Sequence, residues 1–400
     1  MSNYVSVNDA VNLVRQHIRP ITDVEVVPVA DALGSVLAET LTAPTLWPPY
    51  ARAAMDGYAF RAKDVPGVLR VVGTVYAGQE WGKSLHPGEA VRIMTGAPIP
   101  EGADTVLEQE RVKEGAVITV TDALKAGRNI MQAGHEYRAG EVIVPGHTRL
   151  TPLHLGQLAA VGYATVPVLR APRVLLLVTG DEVQPAGSVL QPGHIYDANG
   201  PLFTALLRSL GCTVTLRHVA DNPQRLRAAL SQAEGHYDLV LSTGGVSVGG
   251  RDFLPVLLDQ QFHRLFWRVD MHPGKATAAA ALAPGLPLIA LSGNPGAALT
   301  GWHLLVVPVV STLISQPHEL KWVRGRLSLP YPKPTRETRY LKTRFRHDAD
   351  GLWFDLVSNQ SSDALQSFAE ADGLVVIPHG SPPQPEGAEL TAIDLRSRAD

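Results

Sequence analysis

At 400 residues the chain exceeds what one hydrophobic core ordinarily organises, and 45% apolar with 18% charged residues is the composition of a folded globular protein. A formal charge of −3 argues against a protein that coats nucleic acid, and a single cysteine, Cys212, excludes an intrachain disulfide and a thiolate metal cluster. The opening MSNYVSVNDAVNLVRQHI lacks a signal peptide's apolar centre, and apolar stretches of about eight to fourteen residues broken by Pro or Gly are short for a bilayer. A cytoplasmic chain with no membrane and no nucleic-acid partner is therefore expected.

Residues 6–18 place apolar side chains at 7, 10, 11, 14 and 18, which is helical spacing. From about 25 to 145 short runs (VEVVPV, VLRVVGTV, AVRIM, DTVLEQE, AVITV, EVIVP) alternate with Gly, Pro and Asn, a β-rich pattern with long loops. PLHLGQLAAV, 152–161, reads as a second amphipathic helix started by its proline. The style then changes. RVLLLVTG, CTVTLRHV, DLVLSTGG and LPLIALSG read as buried strands. PLFTALLRSLG, DNPQRLRAALSQA, DFLPVLLDQQ and the long apolar PGAALTGWHLLVVPVVSTLIS read as the helices between them. Strand–helix alternation with near-continuous apolar strands predicts a parallel sheet covered on both faces. After a linker, PHELKWVRGRLSLPYPKP, short strands return in RYLKTRF, LWFDLV, GLVVIP and AELTAI.

The expected architecture is a multidomain α+β and α/β chain. A helical and linker domain spans 1–26 plus 146–171, with a β-rich domain, 27–145, inserted in it. A central parallel-sheet α/β domain covers 172–318, and a small β domain covers 328–400.

Three of the central strands end alike, in LLLVTGDE, LVLSTGG and LIALSGNPG. Each puts a hydroxyl residue and then glycine beyond the carboxyl end of a buried strand, the edge where such sheets collect ligands. Glycine lets backbone amides approach an anion, and a following helix adds its positive end. The candidate contacts are Thr179, Gly180, Ser242, Gly244, Gly245, Ser247, Gly249, Ser292, Gly293, Asn294 and Pro295. None of the three loops is a P-loop or a G-x-G-x-x-G fingerprint, which disfavours ordinary kinase and dinucleotide chemistry.

Asp181, Glu182, Asp221 and Asp252 lie at or just after these strand ends. Acids beside a phosphate repel it unless a cation intervenes, and Mg²⁺ held by carboxylates and substrate phosphates is the usual resolution. Arg251, His272 and Lys275 could supply positive charge. Asp221 and Asp252 are equally open to a plainer reading as helix caps. Far away, Asp56-Gly57 in AMDGYAF is first of all a turn signal, and Thr95 in MTGAPIP sits in a loop after a strand.

AMDGYA, MTGAPIPEGADTVLEQE, GYATVPV, PRVLLLVTGDEV, PGHIYDANG, STGGVSVGG, FWRVDMHPGK, LSGNP and ADGLVVIP run in the order of the molybdopterin molybdenumtransferases, the MoeA-like family that includes the gephyrin E domain. The chain resembles that family over nearly its whole length. The resemblance implies a four-part protomer in a homodimer, with a cleft between the α/β domain of one subunit and the β-rich region of the other. It implies Mg²⁺-dependent insertion of molybdate into adenylyl-molybdopterin with release of AMP, and transient contact with the molybdopterin adenylyltransferase. On that basis Asp56 and Thr95 are cleft residues from the partner side, Glu136 is a further catalytic residue, and Glu182 and Asp221 stand near cofactor and cation as the metal ligands. Asp252 follows the SVG loop, Lys275 is the second lysine of a KPGK-like element, and Arg339 and Ser362 match the basic residue and the serine of the C-terminal domain.

Departures fall on the same positions. Arg52-Ala53 precedes AMDG where asparagine-serine is usual, and Glu136 stands for an aspartate. Gly250-Arg251 follows SVG, His272 replaces the first lysine of KPGK, and Asp363 follows Ser362 in place of histidine. Glu for Asp shifts a carboxylate by roughly 1 Å, enough to slow catalysis about 100-fold. Two other readings follow: a weakened paralogue acting as a pterin or nucleotide sensor or scaffold, and a relative that adenylylates molybdopterin or hydrolyses a nucleotide pyrophosphate.

Overall fold

The computed structural model describes residues 4–246, 253–317 and 319–396. It divides into two compact units, Met1–Glu25 with Gly34–Val36 and Leu169–Asp400, and Val26–Leu33 with Leu37–Val168.

In the first unit a six-stranded sheet runs in the order Thr213–Val219, Arg173–Thr179, Leu239–Thr243, Leu286–Leu291, Ala278–Ala283, His263–Trp267. The four strands read from apolar runs are mutually parallel. Two antiparallel strands extend that sheet beyond Leu286–Leu291, so it is mixed where a wholly parallel one was expected. The run ATAAAALA hid its strand because alanine has little β-propensity; pairing on both sides holds it.

Period-two geometry divides the strand side chains between two layers. Val174, Leu176, Leu239, Leu241, Ile289 and Leu291 face Phe203 and Leu207 of the helix Asn199–Ser209, together with the long apolar helix and Ala10, Val11 and Val14 of the helix Val7–Arg15. Leu175, Leu177, Val240, Leu288 and Ala290 face the helices Pro223–Ser231 and Leu254–Gln261. Ser6 caps Val7–Arg15 by accepting from the Asp9 amide at 3.1 Å.

The long apolar helix, Pro295–Leu313, has a mean hydropathy of 1.5 and is long and apolar enough to cross a membrane, yet 89% of it is buried inside the fold. It exceeds the apolar lengths expected from the sequence because its one inner proline, Pro308, does not end it. Pro308 brings no amide, and the turn before it, Trp302–Val306, widens to a π-helix.

The same unit carries a closed barrel in the order Trp322–Leu327, Gly351–Leu356, Arg339–Asp348, Gly373–Ile377, Glu389–Asp394. Its first strand lies in the segment read as a linker, where Arg-Gly-Arg disguises alternation. A Cβ on Gly325 would lie 2.7 Å from the Leu352 carbonyl oxygen, so the position favours glycine.

The second unit holds a five-stranded sheet, Thr105–Glu108, Gly57–Phe60, Glu89–Ile93, Gly67–Val75, Val117–Val120. AMDGYAF is a turn only at its start. Gly57–Phe60 is wholly buried and pairs with strands on both sides, which leaves Asp56 at the strand's entry. The helix Pro152–Ala160 begins in a capping box between Thr151 and His154.

Candidate active site

At the carboxyl edge of the parallel strands, three loops converge on a cavity of about 540 Å³. Thr179, Gly180, Gly244, Gly245, Ser292, Gly293, Asn294 and Pro295 line it, with Glu182 and Asp221. The loops touch glycine to glycine: a Cβ on Gly293 would lie 3.4 Å from the Gly244 Cα. Gly244, at φ +92°, leaves no room for a side chain, because a Cβ would approach Thr179 Oγ1 to 2.6 Å. Thr179 Oγ1 in turn donates to the Thr243 carbonyl at 3.2 Å. The hydroxyl–glycine pattern therefore packs backbone against backbone and bares it to the cavity. Ser242 is fully buried behind this edge, and its Oγ makes no hydrogen bond.

Carboxylates dominate the wall. Glu182, Asp197, Asp221 and Asp363 line it, whereas no lysine, arginine or histidine does among the described residues. Asp181 and Asp221 exchange contacts, with the Asp221 amide donating to Asp181 Oδ1 at 3.0 Å and the Asp181 amide to Asp221 Oδ2 at 3.4 Å. The Glu182 carboxylate folds back over Gly180, within 3.0 Å of where a Cβ would stand. Glu182 and Asp221 by themselves do not form a self-contained cage, and among the described residues no group of three His, Cys, Asp or Glu closes around a metal. That donor set suits Mg²⁺, which keeps waters and takes its remaining ligands from substrate phosphates.

Asp197, within PGHIYDANG, is a wall residue that the sequence pattern does not single out. It is 6% exposed, accepts from the Gly200 amide at 2.8 Å, and meets His218 Nε2 at 2.8 Å. Nothing local announces this partnership, which joins residues 21 apart across neighbouring elements. Asn199 is equally silent in the sequence: its Nδ2 donates to the Gly293 carbonyl at 2.8 Å and ties a helix start to the third loop.

Of the expected cations, Lys275 and His272 stand elsewhere. Lys275 does not line the cavity; its Nζ is 2.9 Å from Glu337, which raises the lysine's pKa and lowers that of the glutamate. Burial, with Arg339 and Lys275 nearby, pushes the His272 pKa down, although Glu337 opposes the shift. With its pKa below 6.5 the imidazole carries little positive charge at pH 7, where the family resemblance leads one to expect a lysine. Arg339 lies beside His272 through a parallel bridge, and its buried Nε makes no hydrogen bond. Ser362 reaches the cavity rim, where its Oγ accepts from Asn294 Nδ2 at 3.1 Å.

In the other unit Asp56 and Thr95 are bonded to each other, and the exposed Glu136 donates its amide to the Trp47 carbonyl at 3.0 Å. Ser247, Gly249, Arg251 and Asp252 lie outside the described residues.

Three family descriptions match in succession: the MoeA N-terminal region (domain I and II) at residues 5–162, the probable molybdopterin binding domain at 175–312, and the MoeA C-terminal region (domain IV) at 324–395. The molybdopterin molybdenumtransferase of Bacillus subtilis is 34% identical over 408 residues, covering 98% of this chain and 94% of its own. The chain belongs to the MoeA family of molybdopterin molybdenumtransferases. A second member, from Haemophilus influenzae, is 37% identical over 300 residues and 74% of either chain. The molybdopterin biosynthesis MoeA protein of Pyrococcus horikoshii superposes with a TM-score of 0.81 at 30% identity, covering 98% of this chain and 99% of that one. As a MoeA-family chain it is an enzyme of molybdenum cofactor biosynthesis. The cavity lies within the stretch matched to the molybdopterin binding domain, apart from Asp363, which the C-terminal region supplies.

Proposed function

We propose that this chain inserts molybdate into adenylyl-molybdopterin and releases AMP, in a cleft completed by a second copy of itself. The observation that carries this reading is the cavity. Three glycine-bearing strand ends bare backbone amides there, while Glu182 and Asp221 stand on the same wall. Amides fixed by packing stabilise phosphate charge without reorganising, which is how a preorganised site lowers a barrier.

In this reading Glu182 and Asp221 hold Mg²⁺, which when bound neutralises and polarises the substrate anhydride. The loop amides around Gly180, Gly244 and Gly293 orient the phosphates, and Thr179 holds two of those loops in register. Lys275 and Arg339, joined by His272 when it is protonated, form a separate neighbourhood for the tetrahedral molybdate oxyanion, which competes there with Glu337. Asp56, Thr95 and Glu136 come from the partner copy. Water cleaves the anhydride, leaving one phosphate on the pterin and the other on AMP, and the two dithiolene sulfurs bind molybdenum as an oxo ligand of molybdate takes their protons and leaves as water. An adenylyltransferase supplies the substrate by transient contact, and the reaction belongs in the cytoplasm.

One set of observations favours a second reading, a binding protein with weakened chemistry. Lys275 is committed to Glu337, His272 is held neutral, and the described cavity wall is acidic. Incubation with adenylyl-molybdopterin, Mg²⁺ and molybdate separates the two. AMP release with molybdenum in the product supports the transferase, whereas tight binding without AMP supports the sensor.

A further inference from the structure

Lys342 lies on the barrel strand Arg339–Asp348 and is only 1% exposed. Its Nζ donates to the Ser361 carbonyl at 2.9 Å and to Ser367 Oγ at 2.7 Å, and stands 5.4 Å from the Phe368 ring centroid. Burial pushes its pKa down, and the charge of Asp363 opposes that shift. An ammonium is costly to take out of water, and an apolar side chain of similar volume would fill the space as well or better. Packing alone does not account for a lysine here.

What the lysine holds is a short segment bound for the cavity. Gln360 clamps the Lys342 backbone, accepting from its amide at 2.9 Å and donating to its carbonyl at 2.8 Å. The amine fixes the carbonyl of the next residue, Ser361. One residue on, the Ser362 carbonyl accepts from the Ala297 amide at 2.8 Å, and Ser362 Oγ accepts from Asn294 Nδ2. A Cβ on Gly296 would lie 2.8 Å from that same carbonyl oxygen, so the segment seats against bare backbone. Asn294 and Asp363 then face the cavity.

We propose that Lys342 is a positioning residue of the site: through Ser361 it sets Ser362 against Asn294 and sets Asp363 on the cavity wall. The proposal rests on the transferase reading for its activity readout, but its geometry stands apart from it.

The test is a double-mutant cycle of Lys342→Met with Ser362→Ala, read as AMP release and as AMP affinity by calorimetry, with Lys342→Arg as the conservative variant. Lys342→Met should lower turnover about tenfold or more, in line with the sensitivity of catalysis to small misplacements. Lys342→Arg should recover part of that loss, and the double mutant should be no slower than the slower single. Independent, multiplying effects, or Lys342→Met with wild-type turnover, overturn the proposal. If Lys342→Met does not fold, Ser367→Ala takes its place in the cycle, and unchanged turnover there overturns it equally. If the wild type releases no AMP the transferase reading fails; AMP affinity then reads the cycle, with multiplying losses, or no loss in the Lys342 or Ser367 variant, as the negative result.

Discussion

Asp56 Oδ1 accepts two hydrogen bonds from a single residue, one from the Thr95 amide and one from the Thr95 hydroxyl, each at 2.7 Å. The amide is the larger influence and the hydroxyl the second, and together they hold the Asp56 pKa below its ordinary value. The carboxylate therefore stays ionised to lower pH than a free one. Thr95→Val keeps the amide and the shape but removes the hydroxyl, so the Asp56 pKa should rise. If ionised Asp56 serves the reaction, the acid limb of the pH–rate profile should move to higher pH, toward the ordinary aspartate value of 3.8, with a larger loss below pH 4 than near pH 8. Coincident acid limbs would dismiss that role.

Glu337 competes with any oxyanion for Lys275. Glu337→Gln should leave the lysine charged at pH 7, remove a repelling carboxylate, and tighten binding of a tetrahedral dianion several-fold. Sulfate is a convenient calorimetric probe because it does not polymerise in acid. His272 adds a sign. Its pKa is lowered by burial and by Arg339 and Lys275, so it gains its proton only below the usual histidine range near 6.5. Sulfate affinity in the wild type should be flat between pH 7 and 8 and rise only in acid. The His272→Gln variant should lose that acid rise, and its persistence would point to a different titrating group.

Gly244 and Gly235 separate backbone strain from close approach. Both have positive φ, +92° and +75°, but only Gly244 would press a Cβ on Thr179, at 2.6 Å, whereas nothing lies within 4 Å at Gly235. Each Ala substitution should cost about 1–2 kcal/mol for the left-handed backbone. Gly244→Ala should lose more stability than that and should weaken AMP binding as well. Thermal melts and calorimetry on both variants measure the difference, and equal effects would mean that the Thr179 contact has slack.

Local chemistry alone makes the strand ends readable. An apolar run that stops at Thr-Gly or Ser-Gly states both where a buried strand ends and that backbone is bared there. What was not legible depends on distant pairing. Ala278–Ala283 is a strand because Leu286–Leu291 and His263–Trp267 flank it, not because alanine prefers to be one. Gly57–Phe60 was obscured by the Asp-Gly signal that begins it. Residue types nominated Lys275 and His272 as positive charges, but Glu337, 62 residues from Lys275, decides what that lysine is free to hold. Lys342 gave no sign at all in RYLKTRF, since its amine is covered by Ser361, Ser367 and Phe368, 19 or more residues further along the chain.

The cavity wall draws on residues from Val178 to Asp363. During synthesis the sheet strands are all available long before Asp363 leaves the ribosome, so the chain owns a sheet edge well before it owns a finished pocket. A ligand that contacts both Asn294 and the 361–363 segment would clasp barrel to sheet, stabilising the docked form by mass action. Substrate would then act as the last piece of the fold, and a chain that stops short of the barrel would present the same glycine loops to open water.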